Sequence, residues 1–222
     1  MQASLSVIAF SVAATVGSAP SISQTVSAPS VSVGDSWTLR TTDQWSGKVR
    51  HETTTTVIGV MNEFVRMSTE GITFSANGTS TSLPPFDLTT RANLDVVHNV
   101  NGSSTTRILF AWPLRIGKQW TYEFTTAGET AANTPPITFK MAAEAVAWEE
   151  VPTAVGKFKA IKVVHAGTMG PSGTNSNIAK ITQTLWYVPE VKYYVRSQTE
   201  IVGADGSPGM RQLAELTAIK LR

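Results

Sequence analysis

Three histidines, His51, His98 and His165, are the side chains best suited to proton transfer or metal ligation near neutral pH, and the chain has no cysteine to join them. None has a second donor two or four residues away, the spacing that sets two ligands on one face of a strand or helix. Each reads as an ordinary strand residue, and the sequence predicts neither a metal nor any other cofactor. Nucleophile chemistry is as sparse. There is no Gly-x-Ser-x-Gly elbow, Ser-x-x-Lys pair or phosphate-binding loop. The serines of Gly170-Pro171-Ser172-Gly173 and Gly206-Ser207-Pro208-Gly209 have no base beside them and read as turns. Asp43, Glu52, Asp87, Asp95, Glu149, Glu150 and Glu190 could supply a paired-carboxylate glycosidase, whose two acids need only meet in space, but their spacing singles out no pair. The expectation is a protein that is not an enzyme, with no catalytic residues; a glycan or ester hydrolase is the alternative.

Recognition by aromatic rings is the chemistry the sequence favours. Trp112 and Trp120 bracket one turn, and Trp186-Tyr187 and Tyr193-Tyr194 bracket another around Pro189, which cannot donate to a strand ladder. Such rings either fill a core or line a cleft for an acyl chain or a sugar. If there is a ligand, Trp112, Trp186, Tyr187 and Tyr193 are the candidate ligand-binding residues.

Stepping from these side chains to the chain that carries them, composition limits the partners. With 222 residues, 41% of them hydrophobic and 15% charged, the chain can bury a substantial core. A net charge of +2, with 18 basic residues scattered singly, disfavours nucleic acid. The absence of cysteine leaves the redox compartment open, so the compartment must be read from residues 5–16. That apolar run, followed by Gly17-Ser18-Ala19, has the texture of a secretory signal core and is too short for a bilayer of ~30 Å, although no Lys or Arg precedes it. Residues 1–19 are expected to be a signal peptide and 20–32 a Ser/Pro-rich linker. The mature protein would be periplasmic or secreted, with no integral membrane span.

One phrase occurs twice, 83 residues apart: Val33-Gly34-Asp35-Ser36-Trp37-Thr38 and Ile116-Gly117-Lys118-Gln119-Trp120-Thr121. A glycine that turns the chain, followed by Trp-Thr, marks a turn leading into a strand. Its recurrence predicts two related β units, about 33–115 and 116–222, within a single all-β domain, 33–222. Short β-branched runs punctuated by Asn62-Glu63, Asn77-Gly78, Asn101-Gly102 and Asp205-Gly206 read as hairpins. The fold class expected is all-β, a strongly curved antiparallel sheet, barrel or half-barrel of β-roll type. Residues 140–150 are rich in helix formers, yet the repeat sets them where the strand at 49–61 sits, so both helix and strand stay open there.

Three phrases in the second half carry a resemblance. Trp112-Pro113-Leu114-x-Ile116-Gly117-Lys118-x-Trp120, then Val151-Pro152 with Gly156-x-Phe158-Lys159-Ala160-x-Lys162-Val163, then Trp186-Tyr187-Val188-Pro189-Glu190-Val191 resemble, in order and spacing, the TapB-like bacterial exported proteins. The match covers residues 112–222. It departs in two extra residues before Gly156 and in Glu190, where a glycine is usual. The resemblance implies an exported, β-rich envelope protein built on a domain of unknown function, and it transfers no active site. A non-catalytic protein binding a lipid or other amphipathic small molecule in a sheet cleft is expected first, then a structural or scaffolding partner of another envelope protein, then the hydrolase.

Overall fold

The computed structural model describes residues 24–127, 135–174 and 178–222. The expected signal peptide lies outside the described residues. The first six strands are β1 (Ser36–Asp43), β2 (Val49–Met61), β3 (Phe64–Phe74), β4 (Ser80–Arg91), β5 (Val96–Val100) and β6 (Ser103–Arg107). The second six are β7 (Gln119–Thr126), β8 (Ile137–Thr153), β9 (Gly156–Pro171), β10 (Ala179–Val188), β11 (Tyr193–Val202) and β12 (Pro208–Lys220). All pair antiparallel in one sheet of order β6-β5-β4-β3-β2-β1-β12-β11-β10-β9-β8-β7. The sheet curls until its edge strands, β6 and β7, approach each other, giving the curved all-β architecture expected, a nearly closed barrel.

The two copies of the repeated phrase have matching local geometry. Gly34 and Gly117 both take positive φ, 93° and 80°, which lets each chain turn into its strand. Gly34 N–H donates to Val57 O and Val57 N–H to Asp35 O, and Gly117 N–H donates to Ala145 O and Ala145 N–H to Lys118 O. Val57 and Ala145 are both buried, and each is followed by a β-bulge. Four residues before them, Thr53 and Met141 face Gly71 and Gly167. A Cβ on either glycine would lie about 2 Å from a carbonyl, 2.2 Å from Glu52 O and 2.0 Å from Lys140 O, so both strands need glycine there. Trp37 and Trp120 are thus equivalent, each the second residue of its unit's first strand.

Residues 140–150 belong to β8. Met141, Ala143 and Ala145 point inward and are buried, while Lys140 and Ala142, which alternate with them, are exposed. Pairing with β7 on one side and β9 on the other satisfies the backbone of β8 and overrides its helical propensity.

The repeat breaks down at the barrel's seam. If the units were identical, β6 would pair with β7 as β12 pairs with β1. However, β11 and β12 have 10 and 13 residues, whereas β5 and β6 have five each. The β5–β6 hairpin meets β4 through one residue pair, Thr90 with Val96, and leans across the gap toward β7. There Thr105 Oγ1 donates to Thr125 O and accepts from Thr125 N–H, both at 3.0 Å, a side-chain latch where a backbone ladder would run.

One end of the barrel is filled. The segment at 108–118 carries Leu109, Phe110 and Leu114 into the main core, beside Trp37, Ile161, Leu185 and Tyr187. Residues 24–32, within the segment read as a linker, lie against this end. Val26 forms an antiparallel bridge with Leu114 and is itself buried.

Candidate functional site

The other end is hollow. Alternation along β7 and β8 turns Tyr122, Phe124, Phe139 and Met141 inward, where they form a second, smaller apolar cluster. Facing it are Ile181 and Gln183 on β10, Thr199 and Ile201 on β11, and Met210 on β12. Between them lies a cavity of 270 Å³, to which the β5–β6 hairpin adds His98 and Arg107. Gly167 lets the wall form, because a Cβ there would also come within 2.8 Å of Met141 Sδ.

The electrostatics of this space are lopsided. Arg107 stays charged in any protein environment, yet none of the ion pairs among the described residues includes it. Its Nη2 donates to Gln183 Oε1, its guanidinium carbon stands 5.5 Å over the Phe124 ring, and its Nε is buried with no acceptor. His98 stacks on the same ring at 5.3 Å, and its Nε2 is also unpartnered. Burial, and then the Arg107 charge, push the His98 pKa below its usual value. Deeper in, the Tyr122 hydroxyl and His165 Nδ1 share a 2.8 Å hydrogen bond. Burial drives His165 down to about 3, with a smaller push from Arg107, so its ring is neutral. One fixed positive charge therefore faces an apolar space through two neutral imidazoles and a phenol.

The four aromatic residues expected to bind a ligand are elsewhere. Trp112 and Tyr187 meet edge to face at 4.9 Å in the filled end, with Phe110 against both, and Trp112 Nε1 donates to Asn93 O. Tyr193 stacks between Trp37 and Tyr194. Trp186 lies on the outer face of β10. Its Nε1 donates to Glu149 Oε2 at 2.7 Å, and Lys162 and Arg196 sit over its ring at 5.5 and 5.7 Å. Trp186, Tyr187 and Tyr193 are each less than one-tenth exposed, and none of the four borders the cavity. The residues that do border it carry one sequence signal. That signal is weak: Arg107 and Leu109 share one alternating face beyond β6, but Ile108 and Phe110, equally apolar, share the other.

No protein-family model matches the chain, and no curated protein matches it either, so the TapB-like resemblance gains no support from these comparisons. Solved structures do match. A Parabacteroides distasonis protein described as a lipoprotein superposes with a TM-score of 0.55 at 12% identity, over 89% of this chain and 100% of its own. A Bacteroides fragilis protein with a YmcC-like fold, described as exported, gives 0.54 at 15% identity, over 88% and 99%. The chain shares their fold. At such identities only the architecture carries over. Among the described residues no helix is long and apolar enough to cross a membrane.

Proposed function

We propose that this protein is an exported envelope protein, periplasmic or secreted, that holds an amphipathic small molecule inside its barrel and does not turn it over. One observation carries the reading, the cavity at the unfilled end of the barrel. Its walls mix apolar side chains, Phe124, Phe139, Ile181 and Ile201 among them, with the polar groups of Arg107, His98, Gln183 and Thr199, a mixture suited to a ligand with one polar end. Three of the wall residues are methionines, Met141, Met169 and Met210, whose flexible side chains adapt to a chain-like guest. The signal-like residues 5–16, and the export and lipoprotein descriptions of the fold's solved members, support the compartment.

The test is organic extraction of the purified, folded protein followed by mass spectrometry, with titration of a fluorescent acyl probe into the extracted protein. A co-purified amphiphile and saturable probe binding, both lost when Ile181→Trp fills the cavity, are expected. An empty extract together with a non-saturating probe would end the reading. Steady release of a cleaved ester or glycan would show turnover and favour the hydrolase.

A partner-binding role is the second reading, favoured by a different surface. Beside the edge strand β7, the small side chains Thr121, Ala142, Val146 and Ala166 leave an outer groove of 610 Å³ next to backbone that carries no further strand. Such an edge suits strand addition.

A further inference from the structure

Resting on the binding reading above, we infer that the ligand's polar end is an anion, and that Arg107 is the group that receives it. A half-buried guanidinium costs desolvation energy that proteins ordinarily offset with a carboxylate. Here the offset is missing. Its side-chain partners are neutral, Gln183 Oε1 and the nearby Tyr122 hydroxyl, and the Gln183 amide is itself turned toward Thr199 Oγ1. The buried acid Asp95 forms no ion pair with it; its Oδ2 accepts from Asn93 Nδ2, and its Oδ1 is itself buried without a hydrogen bond. Around the guanidinium two polar nitrogens have no partner, Arg107 Nε and His98 Nε2, and both belong to side chains that line the cavity.

This arrangement fits a carboxylate-headed single chain. A carboxylate would accept from the guanidinium N–H groups that border the cavity, the planar-anion geometry that arginine favours. The Phe124 ring, already flanked by Arg107 and His98, forms the floor beneath that head. The chain would then run among Phe139, Met169, Ile181, Ile201 and Met210. At 270 Å³ the space is on the scale of a single acyl chain.

Calorimetric titration of the extracted, full-length protein with decanoate, decanol and decyltrimethylammonium tests this. Decanoate is expected to bind about tenfold or more tightly than decanol, the worth of one hydrogen bond to a charged group, and the cationic amphiphile weakest of the three. Arg107→Gln should remove the decanoate advantage and leave decanol affinity unchanged, while Arg107→Lys retains part of it. Because Arg107→Gln deletes an uncompensated charge, its thermal midpoint without ligand should not fall, so lost binding is separable from lost folding. Equal binding of decanoate and decanol to the wild-type protein would overturn the anion assignment and leave the ligand-binding reading standing. Binding of none of the three would remove both.

Discussion

His165 sits where the main core meets the cavity, fully buried, with one ring nitrogen bonded to Tyr122 and the other without a partner. Its charged form is excluded from the fold, so the unfolded chain takes up a proton near the ordinary 6.5 while the folded protein waits until about 3. The sign follows directly. Above the unfolded value both states are neutral at this site and it adds no pH dependence. Between about 6.5 and 3 the unfolded state binds the extra proton, so this site's contribution to stability falls as pH falls, by up to ~1.4 kcal/mol per pH unit. Urea melts at a series of pH values should show that slope, and His165→Gln should flatten it by one proton's worth. An identical slope in the variant would mean that another group carries it. At this scale the sequence was only partly legible. Trp186 and Tyr187 were both expected at one ligand site, yet adjacent strand residues point to opposite faces. Trp186 accordingly lies outside with Lys162 and Arg196, and Tyr187 inside with Phe110. Ring chemistry alone cannot say which face of a curved sheet is the inner one. Arg107 escaped notice for the related reason that a charged residue on a strand ordinarily marks the outer face.

At the scale of elements, the two Trp-Thr strands were legible because a turn glycine followed by a large β-former is a local signal. What surrounds each strand was not. Trp37 lies between β2 and β12, stacks on Tyr193 and donates from Nε1 to Val191 O. Trp120 begins an edge strand with β8 alone beside it and is only half-buried. Alanine at position 37 should therefore cost about 3–5 kcal/mol. At position 120 it should cost roughly half of that, in keeping with the smaller area removed from water. Equilibrium denaturation of both variants checks this, and equal losses would contradict the difference in surroundings. Residues 140–150 teach the complementary lesson. Their alanines and glutamates favour a helix locally, but partners on both sides, one of them 16 residues long, make them a strand. The pair Asp35 and Lys118 shows how two equivalent turns diverged. Asp35 is buried and accepts from Ser32 N–H, Lys192 Nζ and Arg222 N–H, whereas Lys118 is half-buried and donates to Pro113 O.

For the whole molecule, twelve strands in two six-strand meanders would close a ring if both units ended in equally long hairpins. The five-residue strands β5 and β6 leave the ring open, a shortfall no local pattern announces, because strand length shows its meaning only against the partner it fails to reach. That shortfall leaves the wall between β6 and β7 held by side chains alone. A guest passing between β6 and β7 breaks two hydrogen bonds to the Thr105 side chain and no backbone ladder. Thr105→Val keeps the side chain's shape and removes both bonds. It should speed the uptake and release of an acyl probe in stopped-flow mixing while shifting the equilibrium affinity little, and unchanged rates would place the route elsewhere. Loading then becomes a matter of side-chain and hairpin motion, on nanosecond-to-microsecond scales, with no need for strands to separate. The exchange rate of such a carrier would be written in one threonine, and its capacity in the barrel behind it.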